Sequence, residues 1–152
     1  MSVQQELEPG AGHGVEYRRV FGWPVRWHEN ALQLVTGSGI GAVAVPRALA
    51  DRVLAAVARQ GCEGPAVCVL TKRGSVVVLL VEADMLAPGE ESLPGGVRVL
   101  TAGTPIRLPD ERSPRDLTHW IVPPDPRQRW LPSLTSVLAS IRSVAPPRVP
   151  AA

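Results

Sequence analysis

Two carboxylates stand at the end of the most hydrophobic segment of the chain. Glu82 and Asp84 follow the aliphatic run at residues 76–81 and are two positions apart, so in a strand both would project from the same face. Paired carboxylates hold divalent metals in phosphoryl-transfer enzymes. A hard cation needs further oxygen ligands, which this pattern does not supply. The sequence therefore favours the alternative, a charged strand end that enters a loop.

A glycine-rich segment at residues 36–41, Thr-Gly-Ser-Gly-Ile-Gly, is a second candidate. Glycines at such a position can let the backbone approach a pyrophosphate at the start of a helix. The residues that follow, Ala-Val-Ala-Val at 42–45, predict a strand instead, and the third glycine has the wrong offset. No G-x-x-x-x-G-K-[ST] sequence occurs either. We therefore predict a plain β-turn.

The remaining nucleophiles and metal ligands form no recognisable constellation. His13, His28 and His119 are scattered, and there is no G-x-S-x-G sequence that would mark a serine nucleophile. Cys62 and Cys68 lack the second cysteine pair of a zinc site, so we predict buried free thiols. The sequence thus predicts no catalytic residue, no cofactor and no metal, with Glu82 and Asp84 as the weak exception for a metal.

Tryptophans provide most of the aromatic surface, since the chain has four of them beside one Phe and one Tyr. Trp23 and Trp27 lie four residues apart and are candidates for stacking on nucleic-acid bases. The alternative is that these large rings form the core and its lid, as buried aromatic residues usually do.

Composition and charge exclude several classes of protein. The chain has 152 residues, 45% hydrophobic and 20% charged, which is typical of one globular domain. Its net charge of +2 is small for a dedicated nucleic-acid binder. All but one of the 16 basic residues are Arg, which indicates a GC-rich, bacterial genome. No apolar run reaches the roughly 20 residues of a membrane span, and no signal peptide is apparent, so we expect a cytoplasmic protein.

Hydrophobic patterning predicts an α+β fold in a single domain, with a mixed or antiparallel sheet of short strands and two amphipathic helices. β-branched runs predict strands at residues 32–35, 41–45, 66–70, 75–82, 97–100, 105–108 and 118–122. Helical spacing predicts helices at 46–60 and 133–144, the second with Ser133 as its N-cap.

The segment Lys72-Arg73-Gly74-Ser75 predicts a hairpin turn. The domain is expected to span residues 17–144, between a disordered tail at 1–16 and a Pro-rich disordered tail at 145–152. Its predicted core includes Val43, Val45, Val77, Leu79 and Leu138.

Several short segments, taken in chain order, carry a resemblance to a known family. They are Gly22-Trp23-Pro24-Val25, Val35-Thr36-Gly37, Gly41 to Pro46, Leu70 to Val81, Gly96-Val97-Arg98, Leu108-Pro109, and His119 to Pro124. Over about residues 22–132 the chain resembles the N-terminal domain of bifunctional DNA primase/polymerase proteins, the prim-pol branch of the archaeo-eukaryotic primases. The resemblance implies a polymerase fold whose acidic residues bind two metals.

The chain departs from the family at the residues that do the chemistry. Val43 and Val45 stand where the family has two metal-binding Asp, and Arg98 stands where it has the third. Val77 or Val78 stands where it has the active-site His. Because valine offers no ligand to Mg²⁺, the resemblance implies a domain that has kept the fold and lost catalysis.

Two classes of function follow. The first is a non-catalytic prim-pol-like domain that binds nucleic acid or nucleotide, with Trp23 and Trp27 as stacking candidates and cationic contacts from Arg47, Lys72, Arg73, Arg98 and Arg107. The second is a protein-interaction or regulatory module that has a protein partner and no nucleic-acid role. The resemblance favours the first class, and the small net charge favours the second.

Arg98 allows a more specific expectation. By the resemblance, its guanidinium points into a cleft lined by Val43 and Val45. A buried cation is stable only beside a group of opposite charge, because its desolvation costs free energy. We therefore expect an ion pair with Glu82 or Asp84, and the alternative is an anionic ligand such as a nucleotide phosphate.

Overall fold

The computed structural model describes residues 17–72, 74–110 and 117–145. Within these ranges the fold is α+β. The strands are β1 (Val25–His28), β2 (Ala31–Val35), β3 (Ile40–Pro46), β4 (Ala66–Thr71), β5 (Gly74–Glu82), β6 (Arg98–Leu100), β7 (Pro105–Arg107) and β8 (His119–Val122). The longer helices are α1 (Arg47–Arg59) and α2 (Leu134–Val144), and there are short helical turns at Tyr17–Phe21 and Glu90–Ser92. Each predicted strand and helix is present within one residue of its predicted bounds, and β1 was not predicted.

The strands form two antiparallel sheets. The small sheet has the order β1-β2-β7, and the large sheet has the order β6-β3-β5-β4-β8. The two helices cover one face of the large sheet, and the small sheet lies against part of the other face. The described part of the chain therefore has three layers.

Two of the crossings of the chain between the sheets, at residues 36–39 and at residues 101–104, are hydrogen-bonded to each other. The Thr36 amide donates to the Thr104 carbonyl at 3.0 Å, and the Gly103 amide donates to the Thr36 carbonyl at 3.1 Å. The Thr104 amide donates to Thr36 Oγ1 at 2.8 Å. Thr36 is 3% exposed, so these bonds join the two crossings in a buried position.

The glycine-rich segment forms the first crossing as a tight turn. The Ile40 amide donates to the Gly37 carbonyl, and the reverse bond is also present. Ser38 and Gly39 have φ values of 54° and 92°, the positive values that this kind of turn requires. β3 follows directly, so the prediction of a plain β-turn is confirmed.

The helix-covered face holds the larger part of the core. Val43, Val45, Val77 and Leu79 pack there under α1 and α2, with Leu138 of α2 only 1% exposed. The predicted core is therefore confirmed. The N-terminus of α2 is capped as predicted, because Ser133 Oγ accepts a hydrogen bond from the Ser136 amide at 3.1 Å.

Aromatic residues fill the layer between the large sheet and the small one. Tyr17 stacks on Trp23 with ring centroids 5.4 Å apart, and Phe21 stacks on the same indole at 4.9 Å. Trp120 Nε1 donates to the Tyr17 hydroxyl at 3.2 Å. These four rings form the aromatic cluster.

The cysteines are free thiols, as predicted, but only Cys68 is buried, and Cys62 is half-buried with its Sγ 3.3 Å from Ser140 Oγ. None of the described helices is long and apolar enough to cross a membrane. The predicted tail at 1–16 and residues 146–152 of the predicted tail at 145–152 lie outside the described residues, whereas Ala145 is buried in the core.

Candidate functional site: a basic cleft between the sheets

Strand register decides which side chains share the face that the helices do not cover. Residues paired directly across antiparallel strands project to the same side. Ala44 of β3 pairs with Arg98 of β6 on one side and with Val78 of β5 on the other. Val69 of β4 pairs with Val76 of β5. These side chains therefore lie together on one face of the large sheet.

The small sheet covers this face only in part, and the uncovered part is the floor of a cleft of about 1040 Å³. We call it the basic cleft. β7 of the small sheet and the start of α1 form its walls, and the turn of the β4–β5 hairpin lies at one end. The described lining residues are Ala44, Pro46, Arg47, Val69, Thr71, Lys72, Ser75, Val76, Val78, Glu90, Gly96, Arg98, Leu100, Pro105, Ile106 and Arg107.

Four cationic side chains from four different elements line the basic cleft. Arg47 begins α1, Lys72 is in the β4–β5 turn, Arg98 begins β6 and Arg107 ends β7. All four are exposed at the mouth, and Glu90 is the one carboxylate among the described lining residues. Positive charge is therefore concentrated in the cleft, although the net charge of the whole chain is only +2.

The cationic residues differ in their partners. Within the described part of the chain, no carboxylate lies within ion-pair distance of Arg47 or Lys72, whereas Arg98 Nε lies 3.9 Å from Glu90 Oε1. Arg73, predicted as a fifth contact, lies outside the described residues. Gly74 beside it has a φ of 114°, as the predicted hairpin requires.

The expectation for Arg98 was wrong in two respects. Val43 and Val45 project to the opposite face, under the helices, so they do not share a cleft with Arg98. The carboxylate beside Arg98 is Glu90, not Glu82 or Asp84, and both side chains of the pair are more than half exposed, at 62% and 63%. The reason is the β3–β6 register, which places Arg98 opposite Ala44.

The tryptophans predicted to stack on bases lie away from the cleft. Trp23 is 2% exposed inside the aromatic cluster, and Trp27 is half-buried against the same core. None of the described lining residues of the cleft is aromatic. Both tryptophans therefore agree with the alternative interpretation, in which the rings belong to the core and its lid.

Of the two carboxylates at the end of β5, Asp84 has a structural role. Asp84 accepts hydrogen bonds from the Thr135 amide at 3.1 Å and from Thr135 Oγ1 at 2.8 Å, in the first turn of α2. Glu82 is exposed at the end of β5. Among the described residues, no group of three or more His, Cys, Asp or Glu side chains could hold a metal ion. The side-chain and backbone hydrogen bonds from Thr135 lower the pKa of the Asp84 carboxyl below its usual 3.8.

We expect Asp84→Asn to destabilise the protein near neutral pH and to have no effect in strong acid. The Asp84 pKa is lower in the folded than in the unfolded protein, so its contribution is complete above the unfolded pKa of about 4 and is lost as the pH falls through the folded value. Urea denaturation midpoints of both proteins across the acid range would show the difference closing. A difference that stays constant with pH would mean that the charge of Asp84 has no role.

Sequence reasoning missed the uncharged lining of the cleft and its carboxylate. Gly96 has a φ of 85°, and a Cβ there would lie 2.5 Å from Pro46 Cγ, so a side chain at this position would press into the wall. The Gly95-Gly96 pair after Pro94 was an available signal for a tight backbone turn. Glu90 carried no such signal, because only the fold brings its loop beside β6.

Comparisons of the chain with protein-family models, with curated proteins and with solved structures found no match.

Proposed function

We propose that the protein is a non-catalytic, prim-pol-like domain that binds the phosphates of nucleic acid or of a nucleotide in the basic cleft. The observation that supports this most is the convergence of Arg47, Lys72, Arg98 and Arg107 on one cleft, from four separate elements. These are four of the five cationic contacts predicted from the sequence. A cytoplasmic location, where both ligands occur, is part of the proposal.

The cleft has cations at its mouth and apolar side chains on its floor, so it suits a ligand that has both an anionic group and an apolar part. Arginine matches phosphate with two parallel hydrogen bonds, and lysine adds a mobile point charge. The floor of Val69, Val76 and Val78 offers apolar contact to a sugar or a base face. Because the described lining has no aromatic ring, phosphate contacts rather than base stacking would carry the affinity.

The decisive variant removes two cations that have no carboxylate partner in the described part of the chain. We expect Arg47→Gln with Lys72→Gln to weaken binding of a fluorescein-labelled oligodeoxythymidine by about tenfold at low salt, and to reduce the salt dependence of the affinity. Fluorescence anisotropy measures both quantities. Unlabelled ATP as a competitor distinguishes a nucleotide ligand from a strand, because displacement at similar concentrations would favour the nucleotide.

The matched control is Arg52→Gln with Arg59→Gln. It removes the same charge from α1, at exposed positions that are not part of the described cleft lining. We expect it to bind like the wild type apart from a small long-range effect. Equal weakening by the two double variants, or no binding by the wild type, would contradict the proposed function.

Polymerase chemistry is expected to be absent. By the resemblance, Val43, Val45 and Arg98 stand where the family has carboxylates, and in this fold the two valines project to the face opposite Arg98. We therefore expect no template-dependent nucleotide incorporation with Mg²⁺ or Mn²⁺. A primer-extension assay tests this, with Glu82→Ala and Asp84→Ala as further variants. Incorporation that survives in both variants would contradict the alignment of residues, and incorporation lost in Glu82→Ala would restore the paired-carboxylate hypothesis.

A protein-interaction module is the second candidate, and exposed apolar side chains favour it. Leu86 is 90% exposed, Trp130 is 69% exposed and Leu117 is 65% exposed. If neither nucleic acid nor nucleotide binds, this candidate takes precedence, and Trp130→Ala is the first variant to test against any partner.

A further inference from the structure

We infer that Glu90 is an internal counter-ion of the basic cleft, which holds Arg98 when no ligand is bound and is displaced by a ligand phosphate. The inference rests on the proposed function, and it adds a residue that limits affinity at the same site. Glu90 is the single acidic side chain among the described lining residues, and it lies beside one of the four cations, Arg98.

Hydrogen bonds within the turn that carries Glu90 order its backbone at the rim of the cleft. Glu90 begins the helical turn Glu90–Ser92, in which the Ser92 amide and Ser92 Oγ both donate to the Gly89 carbonyl, at 3.0 Å and 2.9 Å. The Leu93 amide donates to the Glu90 carbonyl at 3.1 Å. Leu93 is 1% exposed in the helix-covered core, which anchors the turn.

The contact between Glu90 and Arg98 has the geometry of a pair that a ligand can replace. The Nε to Oε1 distance of 3.9 Å is long for a charge-assisted hydrogen bond, and both side chains are more than half exposed. An exposed pair of this kind contributes little stability. A phosphate could approach the guanidinium more closely and with two hydrogen bonds, so exchange of the carboxylate for phosphate is favourable.

After displacement, the Glu90 carboxylate still weakens the binding of an anionic ligand. Once displaced, Glu90 still lies at the mouth of the cleft and repels a second negative charge there. Its removal should therefore strengthen binding through two effects, the release of Arg98 and the loss of repulsion. Both effects fall with ionic strength, because both charges face solvent.

The test compares two neighbouring glutamates. In Glu90→Gln we expect oligodeoxythymidine to bind about two- to fivefold more tightly at low salt, the range of one exposed ion pair. Glu91→Gln is the matched control, since it makes the same change one residue away and Glu91 is not part of the described cleft lining. Combining Glu90→Gln with Arg98→Gln should remove most of the gain, because Arg98 is then no longer available.

The outcomes separate this inference from the proposed function. An equal gain in Glu90→Gln and Glu91→Gln would overturn the inference and leave the cleft as a binding site. A gain that is unchanged in the Arg98→Gln background would overturn the role of Arg98 as the group that Glu90 holds. No binding by the wild type and by Glu90→Gln would overturn both the inference and the proposed function.

Discussion

Val43→Asp is expected to destabilise the protein strongly, whereas Ala44→Asp, one residue along the same strand, has little effect. Val43 is fully buried beneath the helices, and an uncompensated charge in such a place costs about 3–5 kcal/mol, a large part of the stability of a small domain. Ala44 projects into the basic cleft opposite Arg98, where a carboxylate meets a cation and water.

Circular dichroism and urea denaturation of the two variants would show the contrast. The pair also bears on the proposed resemblance, by which Val43 occupies the position of a metal-binding Asp of the prim-pol family. A Val43→Asp protein that folds with the stability of the wild type would mean that this position faces a polar cleft. The assignment of Val43 to the helix-covered core would then be wrong.

Leu138→Ala is expected to destabilise the domain by about 2–5 kcal/mol, because it leaves a cavity in a packed core. Leu138 lies on the buried side of α2, between α1 and the large sheet, and is 1% exposed. Leu86→Ala makes the same truncation at a leucine that is 90% exposed, and we expect it to change stability by less than about 0.5 kcal/mol.

Denaturation midpoints of the two leucine variants test whether α2 docks on the sheet. The expected result is a clear loss for Leu138→Ala and none for Leu86→Ala. Equal midpoints for all three proteins would show that α2 does not contribute to the folded core, and the Asp84–Thr135 contact at its start would then have no docked helix to cap.

Local sequence patterns predicted the elements because each element has a local physical cause. β5 begins with a turn glycine and continues as an aliphatic run, and α2 follows a serine that caps it. β1 was not predicted, although its four residues, Val25–His28, alternate between buried or half-buried and exposed side chains. The division into two sheets was not predictable, because it depends on pairings such as β2 with β7, which are distant in sequence.

For the site, too, local sequence predicted some properties of the residues, and others depended on contacts between distant segments. Four of the five predicted cationic residues line one cleft. Their exposure was predictable, since charged residues are rarely buried, whereas their convergence depends on the fold. The face on which Arg98 lies was predicted wrongly, because a strand alternates with a period of two and a shift of one residue reverses every side chain. Only the β3–β6 register resolves that choice, and no single strand encodes it.

The two crossings joined through Thr36 make the basic cleft a preorganised site. They connect the large sheet, which forms the floor and carries Arg98, to the small sheet, whose β7 wall carries Arg107, and their buried hydrogen bonds join the floor to that wall. A ligand that enters such a site orders few backbone dihedrals, so little conformational entropy is lost on binding. Association of the proposed ligand should therefore proceed in one step, at a rate that electrostatic steering sets, with no slower phase for closure of the cleft.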